Sequence, residues 1–237
     1  LLGRELRRFV SSPTYVLNAG MGIVLLLLLS AFALVKKDAM DVMLATVGEI
    51  APFAASVLPM VIVVPVGFCV GMNFISTPSV SLEGKTLWIL HSLPVTGRQV
   101  LRAKLDLHLL VTMPPALLCL ACGLVLLRTP WILVLLAGLL VALDVVFTAA
   151  AGLMFGVTMP QFHWTSEMAV IKQNPSVLLA LLVNWAAGFV LGMGVLVLAQ
   201  FVPTEAAWMA ALGILALADG AALRWLKTKG AERLQRL

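Results

Sequence analysis

The chain has 237 residues, of which 62% are apolar and 11% charged, whereas a soluble domain is typically about 25% charged. This composition excludes a water-soluble globular core and predicts a membrane protein. Uneven apolar runs and a single tyrosine argue against an outer-membrane barrel, so the expected fold class is all-α. The formal net charge of +5 is explained by attraction of cationic segments to anionic membrane lipid. We therefore expect no nucleic-acid partner.

The N-terminal segment, residues 1–16, is predicted to form an amphipathic helix at the membrane interface. Leucines and Phe9 lie on one side of this helix and arginines on another, and Ser12 with Pro13 marks a turn. An ordinary juxtamembrane anchor is the alternative. Because Leu1 is not a methionine and no cleavage site follows, we expect a piece of a longer protein rather than a signal peptide.

Six charge-free apolar runs predict six transmembrane helices. They lie at 17–35, 50–75, 109–127, 131–157, 176–201 and 206–223. Pro114 and Pro115 fall inside the third run, where a helix tolerates them only if neighbouring groups bond the freed carbonyls. The expected segments of the single domain 1–237 are two spans at 17–75, a cytosolic loop at 76–106, two spans at 107–157, a second cytosolic loop at 158–175, two spans at 176–226 and a tail at 227–237.

The distribution of Lys and Arg predicts the orientation of these spans. If the N-terminus is inside the cell, thirteen of the sixteen cationic residues lie on cytosolic segments. Only Lys36, Lys37 and Arg128 lie on outer loops. Because cationic loops stay in the cytosol, we expect both termini on the cytosolic side.

The long loop between the second and third spans has the pattern of helix, corner and helix. Thr77-Pro78 is a typical helix start, and a short helix over 79–91 would end at a Ser-Leu-Pro corner. A second helix starts at Thr96, where Gln99 completes a capping box. The corner carries apolar residues that need cover, so we expect a partner protein to dock there. A segment that merely rests on lipid is the alternative.

Three segments of the chain resemble a known family. They are SLEGKTLWILHSLPV at 81–95 with Arg102-Ala-Lys104, MPQFHW at 159–164 with Lys172-Gln173, and RELRRFVSSPTYVLN at 4–18. These strings are similar to cytosolic segments of permeases in the type-2 ATP-binding cassette exporter group, in one bacterial branch. The chain looks like the C-terminal six-span half of such a permease.

The resemblance implies a location in the bacterial inner membrane and a set of partners. The partners are cytosolic ATPase subunits, a second permease half that is fused or homodimeric, and membrane lipid. The loop after the second span would contain a coupling helix that docks on the ATPase. The residues expected to couple are Glu83, Lys85, Trp88, Leu90, Leu93 and Pro94.

The sequence predicts no catalytic, cofactor or metal site in this chain. Gly84-Lys85-Thr86 looks like the end of a phosphate-binding loop, but Ser79 stands where that motif needs its first glycine. Three scattered histidines do not suggest zinc ligands. By the resemblance, ATP and Mg²⁺ would belong to the partner ATPase.

Two aspartates lie in apolar runs. Asp144, in the middle of the fourth run, costs about 2.5 to 3.5 kcal/mol to insert, so we consider it for a translocation path with Asn184 as a neighbour. A protonated or hydrogen-bonded packing residue is the alternative. Asp219 precedes Arg224 and Lys227, which predicts local pairing and snorkelling.

Glycine pairs with G-x-x-x-G spacing predict faces on which helix backbones approach closely. These pairs are Gly67 and Gly71, Gly152 and Gly156, and Gly188 and Gly192. The sequence as a whole favours the permease of an ATP-driven exporter with an unknown substrate. The alternative is a membrane-embedded lipid-modifying enzyme or a secondary carrier that uses Asp144.

Overall fold

The computed structural model describes residues 1–38, 42, 46, 58–86, 92, 94–162 and 164–237, and for residues 85 and 86 it describes the backbone only. These ranges contain helices and no strand, which confirms the all-α class. The helices are α1 Leu2–Ser11, α2 Pro13–Ala19, α3 Met21–Val35, α4 Met60–Gly71, α5 Gly97–Leu126, α6 Trp131–Thr158, α7 Glu167–Lys172, α8 Pro175–Leu198, α9 Thr204–Trp225 and α10 Ala231–Gln235, with a 3₁₀ helix Ser81–Thr86 and a π-helical turn Leu226–Gly230.

Within the described residues, four helical segments are long and apolar enough to cross a membrane: α5, α6, α7 with α8, and α9 with α10. A fifth is added if α2 and α3, bent by 57°, count as one span. The twelve residues of α4 extend about 18 Å, less than the roughly 30 Å of bilayer hydrocarbon. The chain is therefore a helical membrane protein. Six spans are not established, because residues 50–57 of the expected second span lie outside the described residues.

The expected first span, 17–35, is broken at Gly20. Backbone groups at the break bond to a segment more than fifty residues further along the chain. Ile23 N donates to Asn73 Oδ1 at 3.1 Å, and Phe74 N donates to Ala19 O at 2.8 Å. The run 17–35 is thus not one continuous helix, because tertiary partners supply the bonds that a straight helix would have made within itself.

The second expected span also ends early, at Gly71 instead of 75. Beyond it runs a segment that we call the connector, residues 73–86, and it is buried from residue 75 to residue 83. The short helix predicted from residue 79 begins two residues later, at Ser81, and it is a 3₁₀ helix. Residues 87–91 of that predicted helix lie outside the described residues.

Helix α5 begins as the sequence predicts. Gln99 N donates to Thr96 Oγ1 at 3.4 Å, and Thr96 N donates to Gln99 Oε1 at 2.9 Å, which completes the capping box. The helix continues through Pro114 and Pro115 to Leu126. The charged residues of α5 lie in its N-terminal turns. We call the end of the bundle that contains the start of α5, the end of α9 and α1 the charged end.

Helix α6 occupies the centre of the bundle and contacts α4, α5, α8 and α9. Gly152 and Gly156 lie on the face of α6 that contacts the connector, and their lack of a side chain allows the connector to approach closely. A methyl group built on Gly152 would lie 2.5 Å from Thr77 Oγ1, and one on Gly156 would lie 2.3 Å from Thr77 O. The predicted close approach is confirmed here, but the partner is the connector and not another helix.

Replacing Gly152 with alanine should push the connector away from α6. The added methyl group would overlap the Thr77 hydroxyl, so Gly152→Ala should lower the free energy of unfolding by about 1 to 3 kcal/mol. Gly138→Ala is the matched control on the same helix, because a methyl group there meets nothing within 4 Å. Thermal unfolding of the purified protein in detergent measures both. Equal melting temperatures for the two variants would contradict the packing.

Candidate functional site

The connector is held by a buried lysine. Lys104 of α5 is 1% exposed, and its ammonium donates to Glu5 Oε2 at 3.0 Å, to Ser79 O at 3.1 Å and to Glu83 Oε1. An ammonium has three donors, so all of them are used. Burying a charge is tolerated when it is both paired and hydrogen-bonded, which is the case here.

Two arginines of α1 complete this group, which we call the ion cluster: Arg4, Glu5, Arg8, Glu83 and Lys104. Arg4 Nη2 lies 3.0 Å from Glu5 Oε1 and 3.2 Å from Glu83 Oε1. Arg8 Nη1 lies 3.6 Å from Glu83 Oε1, and Arg8 Nη2 donates to the carbonyl oxygen of residue 82. Three cations thus face two carboxylates, and the cluster joins α1 and α5 to the connector.

The carboxyl group of Glu5 is ionised at neutral pH despite its position. Burial by itself raises the pKa of Glu5, but the Lys104 ammonium and the Arg4 guanidinium outweigh burial and lower the pKa to about 2. Glu5 therefore pairs with Lys104 and Arg4 as an ionised carboxylate.

The connector backbone finds partners on further elements. Tyr15 of α2 donates its hydroxyl to the Ile75 carbonyl. Trp164 Nε1 donates to Ser81 O at 3.0 Å, and Gln161 N donates to Ser81 Oγ at 3.0 Å. A buried loop requires such bonds, because water cannot supply them.

The three segments that carry the family resemblance meet at this place. Arg4 and Arg8 come from 4–18, Ser81 and Glu83 from 81–95, and the loop 159–164 bonds directly to Ser81. Lys104 belongs to the string Arg102-Ala-Lys104, which follows the segment 81–95. Although up to about 160 residues separate these segments, the fold brings them into one site at the charged end of the bundle.

The predicted coupling residues fall into three groups. Glu83 is buried in the ion cluster and does not face outward. A role of Glu83 in coupling would therefore be to transmit movement, because it cannot contact a partner directly. The backbone of Lys85 lies in the 3₁₀ helix, and Pro94 is exposed just before α5. Trp88, Leu90 and Leu93 lie outside the described residues.

Asp144 lies inside the bundle, between α6 and α4. Its Oδ2 atom is buried without a hydrogen-bond partner in the described part of the chain, and a methyl group built on Gly67 would lie 3.3 Å from it. Asp144 lines a cavity of about 30 Å³, which has room for one or two water molecules. This space is too small for an organic substrate in the present conformation.

Asn184 of α8 also faces α4, one turn away. Its Cβ would lie 3.4 Å from a methyl group built on Gly71, and its Oδ1 atom is buried without a hydrogen-bond partner among the described residues. No hydrogen bond between Asp144 and Asn184 occurs in that part of the chain. The translocation path through these residues stays a prediction.

The predicted pairing of Asp219 with Arg224 and Lys227 is wrong. Asp219 is 4% exposed, and neither carboxyl oxygen has a hydrogen-bond partner within the described residues. Five helical residues correspond to a rotation of about 140°, so Arg224 points away from the face that carries Asp219.

The sequence analysis missed Glu5 and Lys104 as site residues. A signal for Lys104 exists, because a helix places it on one face with Val100, Leu101 and Leu107, all of which are buried. A lone lysine on an apolar helix face indicates a buried partner of opposite charge. Nothing local in the sequence identifies Glu5 as that partner.

Comparisons with family models, with curated proteins and with solved structures give no match. Within the described ranges, no group of three His, Cys, Asp or Glu residues could hold a metal ion.

Lys104→Met should destabilise the protein strongly. The variant removes the buried cation between two buried carboxylates and leaves them only the partly exposed Arg4 and Arg8, which should cost about 3 to 5 kcal/mol in the free energy of unfolding. Arg102→Met is the control, because Arg102 is exposed and its pair with Asp106 spans 3.7 Å, which contributes about 1 kcal/mol at most. Thermal unfolding in detergent measures both variants.

Removing the two carboxylates as well should restore much of the loss, because the charges that remain in the cluster, those of Arg4 and Arg8, are partly exposed to solvent and the buried positions are then neutral. The variant to compare combines Lys104→Met with Glu5→Gln and Glu83→Gln. If it were no more stable than Lys104→Met alone, the loss would come from packing and not from charge.

Acid should weaken the cluster through Glu5. Because the folded state lowers the pKa of Glu5 from 4.5 to about 2, its contribution to stability is complete above about pH 4.5 and is lost as pH falls towards 2. Melting temperatures measured from pH 6 to pH 2.5 should fall more steeply for the wild type than for Glu5→Gln. Parallel curves would show that Glu5 is not a paired carboxylate.

Proposed function

We propose that the chain is a transmembrane permease half of an ATP-driven exporter in the bacterial inner membrane, with both termini in the cytosol. In this proposal it performs no covalent chemistry itself and couples closure of cytosolic ATPase subunits to alternating access for an unknown substrate. The observation that carries the proposal is the convergence of the three family-like segments on one buried connector.

A coupling element must be stiff, since a floppy loop would absorb the movement that it receives. The connector meets this requirement, because the ion cluster fixes it to α1 and α5 and the glycine face of α6 supports it from the other side. Residues 87–93 follow it directly in the chain, and in this proposal they contact the ATPase. Movement of that contact would pass through Glu83 to Lys104 and so to α5.

The substrate path would lie between two permease halves. Helix α8 supports a second half, because it exposes large apolar side chains, among them Leu178, Phe189 and Val190. Lipid would cover the remainder of that face. A paired half would also provide the space that the cavity of about 30 Å³ beside Asp144 lacks.

A test of coupling uses the intact protein purified with its partners. We expect it to retain a protein that hydrolyses ATP, and Trp88→Ala or Pro94→Gly to reduce both retention and ATP hydrolysis by the complex. Loss of a docking tryptophan should weaken binding about 30-fold. Trp131→Ala is the control, because Trp131 is 77% exposed and lies at the other end of α6 from the connector.

Two results would contradict the proposal. The first is recovery of no ATP-hydrolysing partner with the intact protein. The second is labelling of Lys85 only by a reagent confined to the outside of the cell, because a coupling segment must face the cytosol.

One observation favours a second function, a secondary carrier that uses Asp144. Oδ2 of Asp144 lacks a hydrogen-bond partner within the described residues, and a buried intramembrane carboxyl group of this kind is a candidate proton-binding group. Transport driven by an imposed proton gradient, without ATP and without an ATPase partner, would distinguish this carrier from the exporter.

A further inference from the structure

A groove lies at the charged end of the bundle, between the start of α5 and the end of α9. It has a volume of about 530 Å³, within the range of pockets that bind small molecules. The ion cluster is not part of it, so the groove is separate from the site described above. It is lined by Arg98, Gln99, Leu101, Arg102, Leu105, Asp106, Leu223, Leu226 and Lys227.

The floor of the groove is apolar. Leu101 and Leu226 are buried beneath it, and Leu105 and Leu223 border it. The groove residues of α5 precede the apolar, membrane-spanning part of that helix. The groove residues at the end of α9 follow its apolar part. The groove therefore lies where the apolar part of the spans gives way to charged residues, which is the level of lipid headgroups.

The rim of the groove is cationic. Arg98 and Arg102 are four residues apart on α5, so they share one helix face, and Lys227 approaches from the other side. A neighbouring hollow of about 440 Å³ shares Arg98 and Lys227 and adds Arg224. The cations therefore lie on both sides of the groove, at the start of α5 and at the end of α9 with the turn that follows it.

Little negative charge offsets these cations. Asp106 is the only acidic residue that lines the groove among the described residues, and its oxygen lies 3.7 Å from Arg102 Nε in a pair whose arginine is 84% exposed. Such a pair is weak in water. The rim therefore keeps an excess of positive charge directly above an apolar floor.

We propose that this groove binds one anionic phospholipid. The lipid phosphate lies between Arg98 and Lys227, where guanidinium and ammonium groups donate to it, and an acyl chain lies on the leucine floor. An acidic protein segment would satisfy the rim but would leave the floor uncovered at the membrane border. A phospholipid satisfies both parts of the groove, because its phosphate pairs with the cationic rim and its acyl chain covers the apolar floor.

The test is titration of the purified full chain in detergent with palmitoyl-oleoyl-phosphatidylglycerol or palmitoyl-oleoyl-phosphatidylcholine, with bound lipids counted by native mass spectrometry. We expect the first phosphatidylglycerol to bind more tightly than phosphatidylcholine. Each cation at a lipid headgroup contributes about fivefold in affinity, so Arg98→Gln with Lys227→Gln should weaken this first site about 25-fold.

The matched control removes the same charge outside the groove. Lys229 and Arg236 are exposed at the charged end and do not line either hollow, so Lys229→Gln with Arg236→Gln should leave the first site within about twofold of the wild type. The charge-conserving pair Arg98→Lys with Lys227→Arg should also retain binding. Equal losses in the groove and control variants would overturn the site.

Two further arms separate the lipid from other anions. Inorganic phosphate at millimolar concentration should not displace the bound phosphatidylglycerol, because it cannot contact the leucine floor. Displacement by inorganic phosphate would mean a free-phosphate site, and displacement by a poly-glutamate peptide would favour a protein partner. Equal affinity for phosphatidylcholine would also overturn the proposal.

Discussion

The buried ammonium of Lys104 sets the arrangement of the charged end of the bundle. An unpaired charge inside protein is too costly to keep, so Lys104 requires acceptors for all three of its donors. Glu5 of α1 supplies one acceptor, and the connector supplies two, Ser79 and Glu83. Because α1 and the connector both bond to it, one side chain of α5 fixes their mutual positions.

The connector shows how a buried, irregular segment is accommodated among helices. Its polar groups bond to Tyr15, Lys104 and Trp164, and its backbone approaches α6 at Gly152 and Gly156, where any larger side chain would block it. Buried irregular backbone is tolerated only when protein groups satisfy it. The bonds that make burial possible therefore also hold the connector in one position.

Local signals in the sequence predicted most helix boundaries, because caps and prolines act within a few residues. The capping box of Thr96 and Gln99 is the clearest confirmed case. The break at Gly20 was not predictable in this way, since it depends on Asn73, and neither was the pair of Glu5 with Lys104, which are 99 residues apart. Opposite charges at that separation carry no local pattern, so only the folded chain identifies them as partners.

The distance between Glu5 and Lys104 along the chain also affects biogenesis. At about 5 to 20 residues per second, the ribosome synthesises Lys104 roughly 5 to 20 s after Glu5. In that interval α1 has no permanent partner, but its row of exposed Leu2, Leu6 and Val10 allows it to rest on the membrane surface. Insertion of α5 and capture of α1 then become a single step, because the lysine enters the bundle only together with its carboxylates.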